Sequence, residues 1–191
     1  MGIGFRKNIN KLYIVCLKAN FKTREIFLGF ENANIFLVHV DKRALIPILR
    51  SNGAVIGDSC DIESGIIFHN CKDKFKNLAI GNNCHIGKNC FLDLKDEIVI
   101  KDNVTVSMGS KILTHLDMGK SGLSKKYPPV QKSVVINNNC FIGTGVAVLM
   151  GVELGENCVV TAGSIVTKSF PANSLIAGVP GKLVKSLSYC Y

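Results

Sequence analysis

The segment Ile136-Asn-Asn-Asn-Cys-Phe-Ile142-Gly-Thr-Gly-Val-Ala-Val148-Leu-Met-Gly-Val-Glu-Leu154-Gly-Glu-Asn-Cys-Val-Val160-Thr-Ala-Gly-Ser-Ile-Val166 decides the fold. An aliphatic residue returns at every sixth position without a miss. Neither a helix, with a period of about 3.6, nor a plain strand, with a period of about 2, gives that pattern. It fits a solenoid of short strands that each end at a corner, with three hexads closing one triangular coil. The same step recurs upstream at Ile56, Ile62 and Phe68, at Ile80, Ile86 and Leu92, and at Ile100, Val106 and Ile112.

Two other columns of the hexad agree. The residue after the aliphatic one is Gly at 57, 81, 87, 143 and 155, where a Cβ would obstruct a turning chain. Four places after it comes a small or medium residue, including Cys60, Cys84, Cys90, Cys140 and Cys158. Cysteine at such a position is a small buried hydrophobe. That accounts for five of the eight cysteines, and no Cys-x-x-Cys pair suggests a zinc site. The expectation is no metal.

Breaks in the register mark excursions. Residues 69–79 leave the hexad, and a slip of two separates Leu92 from Ile100. The largest break, 116–133, holds Gly119, Gly122, several lysines and Pro128-Pro129, and reads as a loop protruding from the coil. Loops on a rigid scaffold are favoured places for function. The expected organisation is an N-terminal basic cap over 1–53, helical in part, a β-helix over 54–178, and a tail over 179–191.

The net charge of +9 is concentrated at the start of the chain. Residues 1–50 carry nine Lys or Arg against Glu25, Glu31 and Asp41. If residues 5–22 are helical, Phe5, Ile9, Leu12 and Cys16 form one stripe and Lys7, Lys11, Lys18 and Lys22 another, with Ile14 and Val15 blurring the polar face. The preferred reading has the apolar stripe cover the first coil; the second places it as a peripheral contact on an anionic membrane. No apolar run approaches the roughly 18 residues of a membrane span, and no secretory signal is read. A cytoplasmic protein is expected, with the inner face of the membrane as a further location. Nucleic-acid binding is not expected, because the basic excess lies outside the repeat and lacks interleaved aromatics.

The repeat, together with Val166-Thr-Lys168 and Ala177-Gly-Val-Pro-Gly-Lys182, resembles the hexapeptide-repeat acyltransferases. The resemblance covers residues 53–185 and implies a left-handed parallel β-helix, an all-β solenoid, working as a homotrimer on acetyl-CoA. Within that family the stretch from Asn89 to His115 is similar to O-acetyltransferases that modify sugars, including those of surface-polysaccharide synthesis. Lys101, Phe141 and Gly181 depart from the usual pattern. Alternatives are a serine O-acetyltransferase, suggested by Gly119-Lys-Ser-Gly122, and an N-acetyltransferase on an amino sugar.

Acyl transfer to a hydroxyl needs a base for the attacking oxygen and an acid for the departing thiolate, and histidine serves both near neutral pH. Of the four histidines, His115 ends the last hexad before the long loop and matches the family's catalytic residue. Asp93 and Asp117 are candidates to orient it or to hold the acceptor, with Asn89 behind them. The resemblance further implies that Thr144 and Ala162 line the pantetheine arm. It puts Thr167, Lys168 and Lys182 near the cofactor phosphates.

Overall fold

The computed structural model describes the backbone of residues 2–188 and the side chains of residues 8–188. Three helices come first: α1 (Gly2–Leu28), α2 (Phe30–Leu37) and α3 (Lys42–Ser51). From Val55 the chain winds into a parallel β-solenoid of about six turns. Three sheets form its walls. The first stacks β1 (Val55–Ile56), β4 (Leu78–Ile80), β7 (Ile98–Ile100), β12 (Val134–Ile136) and β15 (Glu153–Leu154). The second runs from β2 (Asp61–Ile62) through β5 (His85–Ile86), β8 (Thr105–Val106), β13 (Phe141–Ile142) and β16 (Val159–Val160) to β18 (Ser174–Ala177). The third stacks β3 (Ile67–His69), β6 (Phe91–Asp93), β9 (Lys111–Ile112), β14 (Ala147–Val148) and β17 (Ile165–Val166).

The hexad explains the walls. Where it is unbroken, paired residues lie eighteen apart, as in Ile142↔Val160 and Val148↔Val166. The aliphatic residue of each strand points inward, and Ile86, Ile112, Ile142, Val148, Val160 and Val166 are fully buried. Such burial stabilises by about 1.5–3 kcal/mol per side chain. The five cysteines of the small-residue column donate their S–H to carbonyls of the following coil, for example Cys60 to Gly81 at 3.0 Å and Cys140 to Gly155 at 3.1 Å.

The turn itself sits elsewhere than the glycine column suggested. Gly143 has no positive φ; a Cβ there would lie 2.6 Å from the backbone nitrogen of Ala162, so it is close stacking of coils that demands glycine. The left-handed corner falls two residues later. Gly145 has φ 68°, and the equivalent position elsewhere is commonly Asn, as at Asn89, Asn103, Asn139 and Asn157. Asparagine tolerates this conformation better than most residues. At one corner these amides stack, Asn83 donating to Asn103 at 2.9 Å and Asn139 to Asn157 at 3.1 Å.

Both ends of the coil are covered. Strand β19 (Lys182–Ser186) pairs antiparallel with β18 at the C-terminal end. At the other end α3, capped by Asp41, buries Ala44, Leu45, Ile48 and Leu49, and α2 adds Ala33 and Leu37. Helix α1 lies on α2 and α3 through Ile14, Leu17 and Phe21, and only Phe21 is fully buried. The predicted stripe is therefore corrected: Ile9, Leu12 and Cys16 face solvent, while Ile14 belongs to the packing face. Phe5 and Lys7 lie outside the described side chains.

Candidate functional site

His115 opens a hairpin that leaves the coil. Strand β10 (His115–Leu116) pairs antiparallel with β11 (Val130–Gln131), His115 opposite Gln131. A short 3-10 turn, Gly122–Lys125, lies between the two strands. Lys132 N–H donates to the Thr114 carbonyl at 2.9 Å and ties the base of the excursion to the solenoid.

Three successive coils meet beneath this hairpin. Asn70 follows β3, Asp93 ends β6, and Thr114 and His115 follow β9, so strand stacking brings the four residues to one corner. The Asp93 side chain is fully buried, and both of its oxygens are occupied. Oδ1 accepts from Asn70 Nδ2 at 2.7 Å. Oδ2 accepts from Thr114 N–H at 3.0 Å and lies 2.5 Å from His115 Nδ1, while the Thr114 hydroxyl donates to the Asp93 backbone carbonyl at 2.7 Å. Burial pushes the Asp93 carboxyl upward, but the hydrogen bonds from His115, Asn70 and Thr114 outweigh it, leaving its pKa below the ordinary value. The carboxylate is thus held ionised inside the protein, which is tolerable only because every lone-pair direction in use meets a donor.

Asp93 is a candidate either to orient His115 or to hold the acceptor, and its geometry favours the first. It has no exposed surface, and both of its oxygens are engaged, one of them with the imidazole. Asp117 is exposed, accepts the Gly119 N–H at 2.7 Å, and lines a cleft of about 50 Å³ with His115, Lys95 and Gln131. His115 keeps 27% of its side chain accessible.

The remaining predicted residues do not join this corner within one chain. Asn89 is an exposed corner residue with φ 56°, at the opposite end of the third sheet. Thr144 and Ala162 occupy that same far corner on higher coils, and the Thr144 carbonyl accepts the Gly163 N–H at 2.9 Å. Thr144 also borders an open groove of about 440 Å³ with Glu63, His85, Lys88 and Thr105. Thr167 and Lys168 lie exposed on the His115 side, just after β17, with the Lys168 ammonium 5.7 Å from the centre of the Phe170 ring. Lys182 begins β19 and is exposed. Among the described residues, no group of three or more His, Cys, Asp or Glu is placed to hold a metal ion.

Sequence reasoning missed Asn70 and Thr114. Asn70 lies inside a register break, where no column assigns it a neighbour. Thr114 directly precedes the catalytic candidate, and its burial was the missing signal.

The same features recur in known proteins. The family model "Hexapeptide repeat of succinyl-transferase" matches residues 77–113 and 133–168. The galactoside O-acetyltransferase of Escherichia coli (strain K12) is 29% identical over 155 residues, spanning 78% of this chain and 70% of that protein. A maltose O-acetyltransferase structure from Clostridium difficile 630 superimposes with a TM-score of 0.69 at 27% identity, covering 93% of this chain and 86% of that one. A galactoside acetyltransferase in complex with coenzyme A shares the fold, with a TM-score of 0.70 at 24% identity over 98% of this chain and 84% of that one. In its repeat, its sequence and its solenoid fold the chain is similar to hexapeptide-repeat acetyltransferases.

Proposed function

We propose that the protein transfers an acetyl group from acetyl-CoA to a hydroxyl of a sugar, with His115 as the base. The observation that carries the reading is the fully buried Asp93 carboxylate 2.5 Å from His115 Nδ1. An ionised carboxylate only accepts, so Nδ1 carries the ring proton and Nε2 keeps its lone pair. Nε2 removes the proton of the acceptor hydroxyl as that oxygen attacks the thioester carbonyl. The tetrahedral intermediate then breaks its C–S bond, and the proton on Nε2 passes to the departing thiolate. The products are the acetyl ester and the free CoA thiol, and His115 returns to its starting state. Asp93 is a positioning residue: it fixes the tautomer and steadies the imidazolium between the two proton transfers.

A cleft of about 50 Å³ beside His115 holds little more than a water or two, whereas a ligand site needs several hundred. That shortfall supports completion of the site by an adjoining copy, as in the homotrimer that the resemblance implies. Thr144 and Ala162 then line the pantetheine arm, Thr167, Lys168 and Lys182 meet the phosphates, and Asp117 and Asn89 contact the acceptor from different copies. Lysine suits exposed phosphates as a mobile point charge. The described cysteines are all free thiols, which suits a reducing cytoplasm, and the biological setting is surface-polysaccharide synthesis.

The test is a thiol-release assay with acetyl-CoA against neutral sugars, amino sugars and free serine. Neutral sugars are the expected acceptors; exclusive turnover of amino sugars or serine would replace the sugar-hydroxyl reading. His115→Ala should lose turnover while retaining CoA binding, and full activity in that variant would end the proposal for its role. Mixed oligomers of His115→Ala with Ala162→Asp should regain part of the activity lost in each, because these residues lie on opposite corners of one chain and one intact site can form between unlike copies.

A further inference from the structure

Helix α1 has two apolar faces, and only one is used. Ile14, Leu17 and Phe21 pack on the cap, while Ile9, Leu12, Val15, Ile26 and Phe27 point outward with 50%, 65%, 60%, 65% and 78% of their surface exposed. At helical spacing Ile9, Leu12, Cys16, Ala19 and Ile26 share one outer face, with Val15 and Phe27 at its margins. The helix extends for roughly 40 Å, so the uncovered stripe is long for a surface in water.

Its charge flank identifies the partner. Lys11, Lys18 and Lys22 run along one side of the stripe. Lys18 and Lys22 also border a cavity of about 500 Å³ whose far wall carries Lys74 and whose floor includes Phe21 and Ile48. Glu25 is the one acid among the described residues of α1, and it is already shared by Lys22 at 2.8 Å and Lys74 at 2.5 Å. Three cations against one carboxylate leave this cleft positive. A second copy of α1 would bring another row of lysines and no free acid to meet them, so pairing of this face with itself is electrostatically disfavoured.

We infer that α1 docks the protein flat on an anionic bilayer. Its outer apolar face lies at the acyl boundary, and Lys11, Lys18 and Lys22 along its flank meet lipid phosphates. No described helix is long and apolar enough to cross a membrane, so the contact is peripheral. It is independent of the transferase reading, since none of these side chains lies at the His115 corner.

Co-sedimentation of the full chain with vesicles tests this. Vesicles of phosphatidylcholine and phosphatidylglycerol in equal parts should retain the protein at low salt, and phosphatidylcholine alone should not. Lys11→Gln and Lys18→Gln should each weaken binding about fivefold, the effect of one basic residue near a charged surface. Leu12→Asn with Ile26→Asn should abolish it while leaving oligomeric mass and turnover of a soluble acceptor unchanged. Failure to bind the anionic vesicles overturns the inference, as does equal binding to both vesicle types. A drop in oligomeric mass in the Leu12/Ile26 variant would assign the face to contact between copies instead.

Discussion

The solenoid and α1 contain similar residues but dispose of them differently. In the coil every sixth residue turns inward, and Ile142, Val148, Leu154, Val160 and Val166 have no exposed surface. In α1 apolar residues occupy opposite sides, and the side that packs is Ile14, Leu17 and Phe21 rather than the longer stripe through Ile9 and Leu12. A closed coil has one interior, so periodicity alone states what is buried. A helix lying on other helices has an interior only where its neighbours are.

The largest effect should come from the buried corner where three coils of the solenoid meet. Asp93→Asn should lower kcat by on the order of 10²–10⁴-fold, because the amide no longer holds the His115 tautomer. A kcat within a few fold of the parent would remove Asp93 from the mechanism. Among packing changes, Ile142→Ala should cost about 2–5 kcal/mol in denaturant unfolding, as other large-to-small core changes do. Gly143→Ala should cost about 1–3 kcal/mol, since the new Cβ meets backbone at 2.6 Å and coil spacing must give. Gly145→Ala has open space around it but φ 68°, so about 1 kcal/mol of backbone strain is expected. Equal costs for the two glycines would show that stacking and turning are not separate demands.

Acid should sharpen the comparison further. The Asp93 pKa is lowered by folding, so its stabilisation is present above the ordinary carboxylate range and disappears as pH falls through its depressed value. The stability gap between the parent and Asp93→Asn should therefore be full at neutral pH and shrink below about pH 4. A gap that widens in acid would contradict the ionised state assigned to the buried carboxylate. The smallest effect belongs to the outer face of α1: Leu12→Ala should change stability by less than about 0.5 kcal/mol. A cost comparable to Ile142→Ala would mean that this face is covered in solution.

By itself the sequence determined the solenoid and its inward column, because a strict period of six can satisfy burial in only one way. It also singled out His115, whose place at the last hexad before a long break is a matter of order along the chain. Only the tertiary structure decided that Asp93 is buried against His115 rather than open to an acceptor, and that Asn70 and Thr114 complete its hydrogen bonds. Those contacts join three coils across the register breaks, where spacing along the chain carries no information about distance. The used face of α1 was likewise settled by its neighbours, since a helix with two apolar sides does not specify which one packs.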